Sequence, residues 1–243
     1  MMPLCYFCSG IHLLAILVAT NKYFADIMES FPREKEDVHP EIFLSLGLTE
    51  PGKRVDEFPC VLTLLSSVLE RIIHKNEHIL GSMKTTEILT VFHGLRAPNI
   101  GIQGYIKRIF KYSKCSPSCF VLAFIYIEKF LLQLDTYLTS LNVHRLLITG
   151  IAVAAKFIDD AFYNNAYYAR VGGVTTTEMN RLELNFLFSL DFKLQVSIGT
   201  FRKYCLQLEM DATSYRIERP VCKFKEWSNI EDSNHQPSLE RCS

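Results

Sequence analysis

The segment "NVHRLLITGIAVAAKFIDD" (residues 142–160) carries the clearest signal for how this chain folds. Across residues 146–155 every side chain is apolar except Thr149 and Gly150. A helix formed here has no polar face, so it must be surrounded by the rest of a domain. Its small residues let neighbouring helices approach closely. We therefore predict a central buried helix over residues 143–158.

Helical spacing of apolar residues continues on both sides of this segment. Apolar side chains recur every three or four positions over residues 61–73, 102–110, 120–134, 179–190 and 198–208. No stretch of useful length alternates as a strand does. The sequence predicts an all-α domain built around one buried helix.

Local signals predict where these helices begin and end. Ser116 before Pro117, and Asn142 before the central helix, have the residue types of N-caps. Thr175 with Glu178 three positions later forms a capping box for a helix to about residue 190. In the first long helix, Asn76 and then Gly81 are predicted to end the element.

Two charges interrupt the apolar pattern. Lys156 ends the apolar stretch, and Glu183 lies on the helix face that carries Met179, Phe186 and Leu187. An isolated charge on such a face costs several kcal/mol to bury. These residues therefore either form an intramolecular salt bridge or snorkel to solvent, or they face a binding partner.

Composition excludes several functional classes. The 243 residues include 26 basic and 26 acidic side chains, so the net formal charge is zero and general electrostatic binding to nucleic acid is not expected. Eight cysteines follow no disulfide or zinc-ribbon spacing, and the chain has no N-glycosylation sequon. We predict a reduced, intracellular protein without a metal.

The two ends differ from the middle. Residues 1–57 are predicted to be a weakly ordered extension, residues 58–210 the helical domain with its preceding helix, and residues 211–243 a flexible tail. The apolar run over residues 13–19 lacks a basic leading region and is shorter than a membrane helix needs. A membrane-tethered protein is thus the weaker alternative.

No arrangement of residues indicates catalysis. His74 and His78 are four positions apart, which suits two solvated residues at a helix end better than a metal site. Asp159 and Asp160 project apart at a helix end, and Gly172-Gly173 lacks the spacing of a phosphate-binding loop. We predict a non-enzyme with no cofactor and no metal.

Three segments together resemble the cyclin box. These are "CSPSCFVLAFIYIEKFL" (115–131), "VAAKFIDD" (153–160) and "NNAYYARVGGVTTTEMNRLELNFLFSLDF" (164–192). The lead-in "HGLRAPNI" (93–100) and the "NAYYARVGGV" segment resemble more narrowly the single-box U-type, or P-type, cyclins of plants, which are relatives of the yeast phosphate-signalling cyclins. The resemblance implies a single five-helix box with an extra N-terminal helix.

The resemblance also implies a function. In cyclins a lysine near the end of the third box helix and a glutamate in the fifth anchor a cyclin-dependent protein kinase, and these positions correspond to Lys156 and Glu183. Neighbouring apolar residues, Phe157 and Leu187 among them, are expected to pack on the regulatory helix of the kinase. The substrate-docking Met-Arg-Ala-Ile-Leu patch of many cell-cycle cyclins is missing, since residues 101–105 read Gly-Ile-Gln-Gly-Tyr.

We therefore expect a regulatory subunit of the nucleus, the cytoplasm or both. It should act with a kinase and without nucleic acid, membrane or a stable homo-oligomer. The alternative from another class is a cyclin-fold transcription adaptor, which typically has two boxes and a basic DNA-facing surface.

Overall fold

The computed structural model describes residues 41–48, 58–83 and 88–214. These residues form eight α-helices and no strand. The helices are α1 (Glu41–Ser45), α2 (Cys60–Met83), α3 (Ile102–Ser113), α4 (Pro117–Leu134), α5 (Val143–Ile158), α6 (Asn165–Gly172), α7 (Thr176–Ser189) and α8 (Ile198–Ser214). The all-α fold class predicted from the sequence is confirmed.

Helix α5 is the central helix that the apolar stretch predicts. Its bounds, Val143–Ile158, match the prediction, and twelve of its sixteen residues are buried. It packs against α4 along its length and also contacts α3, α6 and α7. At the crossing with α4, a Cβ atom added to Gly150 would lie 3.3 Å from the Cβ of Ala123. Glycine at this position therefore sets how closely the two helices approach.

The five helices α3 to α7 form the predicted box around α5. Helix α2 precedes the box and packs against α3, α4 and α8. Helix α8 follows it and packs against α2 and α4, while the short α1 contacts α8. The single five-helix box with an additional N-terminal helix is thus confirmed.

One predicted helix end is wrong because a tertiary contact overrides the local signal. Helix α2 continues past both Asn76 and Gly81 to Met83. Instead of ending the helix, the Asn76 side chain donates to the carbonyl of Leu138 at 2.9 Å. At the start of α5, Asn142 is the N-cap residue as predicted, but its side chain makes no capping bond.

Asn142 instead closes the loop that enters α5. Its Oδ1 accepts from the Thr139 amide at 2.9 Å, and its Nδ2 donates to the Tyr137 carbonyl at 2.7 Å. The same amide contacts Nε2 of His93, in the lead-in segment 93–100. The asparagine thus closes its own loop and joins it to the segment 93–100.

The other two predicted caps are partly right. Ser116 directly precedes α4 with Pro117 at the first helical position, but its side chain makes no capping bond. Its amide is bonded at 2.9 Å by the carboxylate of Asp159, which follows α5. Thr175 caps α7 as predicted, by accepting from the Glu178 amide at 3.1 Å.

Helix α6 was not predicted as a separate element. Asn164 caps its start by accepting from the Tyr167 amide. At its other end, the Tyr105 hydroxyl donates to the Gly172 carbonyl at 3.0 Å, and Nε of Arg108 donates to the Val171 carbonyl at 2.8 Å. Side chains of α3 therefore satisfy carbonyls that a helix end leaves unpaired, and they fix α6 against the box.

Residues near both ends of the described region contribute buried side chains to the core. Residues 41–48, within the predicted N-terminal extension, form α1 and bury Leu46 and Leu48. Helix α8 runs to Ser214. Residues 1–40 and 215–243 lie outside the described residues, so the three-part domain division stays a prediction.

Helix α4 has the length and hydropathy of a membrane span. However, 56% of its 18 residues are buried inside the fold. A core helix has the same composition, since its neighbours are other apolar helices.

The close approach at Gly150 can be tested by overpacking it. Gly150→Leu should lower the free energy of unfolding by ~1–3 kcal/mol or more, because the Ala123 backbone cannot move aside as a flexible side chain would. Urea denaturation measures this change. Gly81→Ala is the matched control, since an added Cβ meets no atom within 4 Å in helix α2. It should raise stability by ~0.5–1 kcal/mol, and an equal loss in both variants would contradict a specific contact at Gly150.

A half-buried carboxyl lies between α4 and α8. Glu128 accepts a hydrogen bond from the Tyr204 hydroxyl. Burial raises the pKa of Glu128 to about 8, and the charge of Lys129 lowers it only in part. Because the folded-state pKa exceeds the ordinary value of 4.5, folding takes up a proton between these two values. Stability must therefore fall as the pH rises from about 4.5 to about 8.

Glu128→Gln should remove this pH dependence. The variant is expected to gain roughly 1–3 kcal/mol of stability relative to wild type between pH 5 and pH 9, because the amide never ionises but still accepts from Tyr204. Chemical denaturation at both pH values measures the difference. Glu70→Gln, at an exposed glutamate of α2, is the control and should follow wild type. If the free energy of unfolding changed with pH by the same amount in Glu128→Gln and in wild type, the prediction would be contradicted.

Candidate functional site

Lys156 and Glu183 meet at one edge of the box. Lys156 lies in the last turn of α5, and Glu183 lies in the middle of α7. The Lys156 Nζ is 2.5 Å from Oε1 of Glu183. The two charges that interrupt the apolar pattern are therefore partners of each other in the free chain.

Asn165 joins both charges. Its Oδ1 accepts from Lys156 Nζ at 2.7 Å, and its Nδ2 donates to Oε2 of Glu183 at 2.5 Å. The same Nδ2 is 2.8 Å from Oδ1 of Asn180 on α7. We call Lys156, Asn165 and Glu183 the charged triad. It links α5, α6 and α7.

The sequence pattern did not indicate that Asn165 belongs to the site. The residue follows the Asn164 cap, and its position at the start of α6 brings its amide to the two charges. Two adjacent asparagines before a short helical stretch are a signal for a cap, but nothing in the sequence assigns the second asparagine to a distant ion pair. Only the contact of α6 with α5 and α7 reveals it.

The charged triad is half-buried. The Lys156 side chain is 25% exposed and that of Glu183 is 17% exposed. A pair at this depth is shielded from full hydration yet still reachable from outside. The intramolecular salt bridge considered from the sequence is confirmed, and a role of the same groups toward a partner stays a prediction.

Hydrogen-bonding capacity remains at both charges. Nζ of Lys156 has three donors and makes two bonds within the described residues, and each carboxylate oxygen of Glu183 has two acceptor positions. The triad can therefore donate to a carbonyl and accept from an amide of another molecule without first breaking. This combination suits recognition of backbone groups at the end of a helix.

Exposed apolar side chains lie in the same segments of the chain as the triad. Five large side chains that are at least half exposed lie in the last turn of α5, in the loop after it, on α7 and just after α7: Phe157, Phe162, Leu184, Phe188 and Phe192. Phe188 and Phe192 pack edge to face at 5.3 Å. We call these five residues the apolar rim. Exposed apolar side chains on the elements that carry a half-buried charged centre are typical of an interface.

The four residues predicted for partner binding lie on this surface. Phe157 directly follows Lys156 and is 50% exposed. Leu187 lies one turn after Glu183 on α7 and is half-buried against the core. Thus Phe157 offers a large contact area, whereas Leu187 mainly supports the surface from below.

An open cavity adjoins the triad. Its volume is about 660 Å³, and its lining includes Lys156, Asn165, Tyr163, Tyr167 and Arg170. Tyr163 and Tyr167 stack at 3.9 Å between ring centroids. The cavity therefore combines cations, amides and rings, and it extends the polar centre of the surface toward α6.

Asp159, one of the two acidic residues considered for catalysis, makes hydrogen bonds that hold the fold together. In the described part of the chain, no group of three His, Cys, Asp or Glu side chains is arranged to hold a metal. Asp159 points inward and accepts from the Cys119 thiol at 3.3 Å as well as from the Ser116 amide. A hydrogen bond with Cys115 and burial raise the pKa of Cys119 well above its ordinary value. A thiol in this state is a poor nucleophile.

Comparisons with known proteins agree with the architecture. The family model for cyclins matches residues 60–194. Cyclin-P3-1 of Oryza sativa subsp. japonica is 52% identical over 215 residues, covering 88% of this chain and 91% of that protein. Cyclin-U3-1 of Arabidopsis thaliana is 50% identical over 198 residues, covering 80% and 88%. Cyclin-U4-1 of Arabidopsis thaliana is 51% identical over 154 residues, covering 63% and 76%.

The sequence segments that resemble a cyclin box thus coincide with helices α4 to α7 of the observed box, and similarity to the plant proteins extends beyond the box over most of the chain. The chain belongs to the cyclin family, and its relatives are the P- and U-type cyclins of plants.

Proposed function

We propose that this chain is a non-catalytic regulatory subunit that binds a cyclin-dependent protein kinase and positions the regulatory helix of that kinase. The observation that supports this most directly is the half-buried charged triad within the apolar rim. Membership of the cyclin family supports the general regulatory role. The residues proposed to contact the kinase are Lys156, Phe157, Glu183 and Leu187.

The geometry suggests how binding occurs. Lys156 and Glu183 retain a donor and acceptor positions, so they can bond the carbonyl and amide groups that the end of a kinase helix leaves unpaired. Phe157 and Phe188 can then pack on the apolar side of that helix. Holding the helix in place completes the Lys–Glu ion pair that an active protein kinase requires.

The apolar rim supplies the driving force in this proposal. Burial of a fully exposed phenylalanine contributes ~1.5–3 kcal/mol, and about half of each Phe157 and Phe188 surface is available for it. The triad contributes chiefly specificity, because a misplaced partner leaves its charges without bonds in a dehydrated interface. Apolar residues thus favour association while the charges select the correct orientation.

We further propose an intracellular location, in the nucleus, the cytoplasm or both. Cys115, Cys119 and Cys205 are buried free thiols, which supports a reducing compartment. A role in the cell cycle is part of the proposal on the strength of the family alone. No observation on the described residues favours a transcription adaptor or a membrane-tethered protein.

A charge exchange separates the structural role of the triad from its proposed role in binding. Truncating Glu183 alone leaves Lys156 without a carboxylate in the free chain, so both stability and binding would change. The double variant Lys156→Glu/Glu183→Lys keeps an ion pair, and Asn165 can follow by turning its amide by half a rotation. Stability should change by less than about 2 kcal/mol because no charge is left unpaired.

Kinase binding by the exchanged variant should weaken by ~2–4 kcal/mol, or about 30- to 1,000-fold, because donors now meet donors across the interface. Pull-down of a cyclin-dependent kinase, followed by a histone-kinase assay, measures binding and activation. The control exchanges the other pair between α5 and α7, Arg145 and Glu178, whose atoms lie 2.6 Å apart. That control should bind the kinase as wild type does. Full binding and activation by the Lys156/Glu183 exchange would assign the triad a structural role only.

Asn165 should hold Lys156 and Glu183 of the charged triad in position before a kinase binds. Asn165→Ala removes an acceptor from Lys156 and a donor from Glu183 while leaving their ion pair. The free energy of unfolding should fall by ~1–3 kcal/mol, since two of the three lost bonds involve charged groups. Asn185→Ala on the exposed side of α7 is the matched control, because Asn185 bonds only its own helix at 2.8 Å within the described residues. It should stay within ~0.5 kcal/mol of wild type. Equal urea midpoints for all three proteins would contradict a role for Asn165.

A further inference from the structure

A second surface of the molecule carries unbalanced positive charge. Residues 88–127 contain five basic side chains and no Asp or Glu, and residues 161–177 contain Arg170 and no acid. The whole chain, by contrast, has zero net formal charge. Acidic side chains are therefore concentrated elsewhere, and the exposed side of α3 with the adjoining α6 is cationic.

Cations lie along α3 and at its end. At 100° per residue, Lys107 and Lys111 lie about 40° apart on the helix, and Lys114 is the residue that directly follows it. All three are exposed. Within the described residues, none of their ammonium groups has a carboxylate partner at salt-bridge distance. Like charges at this spacing repel one another and destabilise a helix. Favourable charge at the helix C-terminus accounts for Lys111 and Lys114, but it does not account for Lys107 or for the missing acids.

Arg170 of α6 belongs to the same surface. Nη2 of Arg108 bonds the Arg170 carbonyl at 3.3 Å, which brings the backbone of residue 170 against α3. The Tyr167 hydroxyl donates to the Tyr112 carbonyl at 2.8 Å, so the two helices also meet there. We call Lys107, Lys111, Lys114 and Arg170 the cationic surface.

Aromatic rings lie between these cations. Lys107 is 5.3 Å from the Phe58 ring centroid, Lys111 is 5.6 Å from that of Tyr112, and Arg170 is 5.6 Å from that of Tyr167. Such contacts hold the charged groups near the surface instead of leaving them fully extended. The positive field is therefore fixed in place over two helices.

We propose that the cationic surface binds an acidic segment of a partner protein. Carboxylate side chains supply the charge that this surface lacks, and an extended acidic segment can follow a stripe that runs along α3. Nucleic acid fits less well. The Tyr167 ring stacks on Tyr163 and also contacts Arg170, so it offers little free face for a base. This interaction does not depend on the kinase proposal, because the lysines of α3 are not part of the charged triad or of the apolar rim.

The proposal is tested with the full chain and a fluorescein-labelled 14-residue peptide of alternating Glu and Ser. Fluorescence anisotropy should show binding that weakens at least tenfold between 50 and 300 mM NaCl, because exposed charges are screened over about 10 Å at 0.1 M salt. A Gln/Ser peptide of the same length should not bind. Absence of binding by the acidic peptide at 50 mM NaCl would overturn the proposal.

The variant Lys107→Gln/Lys111→Gln/Lys114→Gln should lose at least tenfold in affinity for the acidic peptide, while its melting temperature should not fall. A matched control changes three exposed cations elsewhere, Arg96→Gln/Arg181→Gln/Lys193→Gln, and thus alters net charge equally. It should stay within twofold of wild type. An equal loss in both variants would show that net charge alone governs binding, and it would overturn a localised site.

Two further measurements complete the test. A 14-nucleotide single-stranded DNA should bind more weakly than the acidic peptide, and preferential binding of the DNA would overturn the choice of partner. The triple lysine variant should still pull down the kinase at wild-type level. This result would support a separate surface, whereas loss of the kinase together with the peptide would overturn its independence.

Discussion

The burial of helix α5 determines how the other helices are arranged. A helix with no polar face can exist in water only when other helices cover it on nearly every side. Here α4 covers one side, with Gly150 allowing the close approach, and α3, α6 and α7 complete the shell. The last turn of α5 leaves this shell at Lys156. The packing of the core therefore determines where the charged triad stands.

The charged triad follows from this geometry. A lysine that emerges from an apolar core at half-burial needs a carboxylate, and α7 supplies Glu183 at 2.5 Å. Asn165 satisfies a further bond of each charge from a third helix. A pair of this kind adds little net stability compared with apolar residues, but it is costly to disrupt by removing one partner. Its value lies in presenting a donor and an acceptor in fixed orientation.

The molecule thus separates two kinds of surface. On the elements that carry the triad, apolar side chains such as Phe157 and Phe188 are exposed. Helices α3 and α6 expose cations such as Lys107 and Arg170, and these two helices contain no Asp or Glu. The first surface is built to exclude water on contact, whereas the second attracts charge over a distance limited by salt. Helix α6 contributes to both, because Asn165 belongs to the charged triad, while Arg170 belongs to the cationic surface and also lines the cavity beside the triad.

The all-α class, the bounds of α5 and the two charges that interrupt the apolar pattern can be predicted from the sequence, because continuous apolar character and helical period are local properties. The continuation of α2 past Asn76 cannot be predicted in this way, since a distant carbonyl at Leu138 binds that side chain. The sequence also does not identify Asn165 or distinguish a mutual ion pair from two separate charges. Those outcomes depend on how α5, α6 and α7 meet in space, which no local pattern encodes.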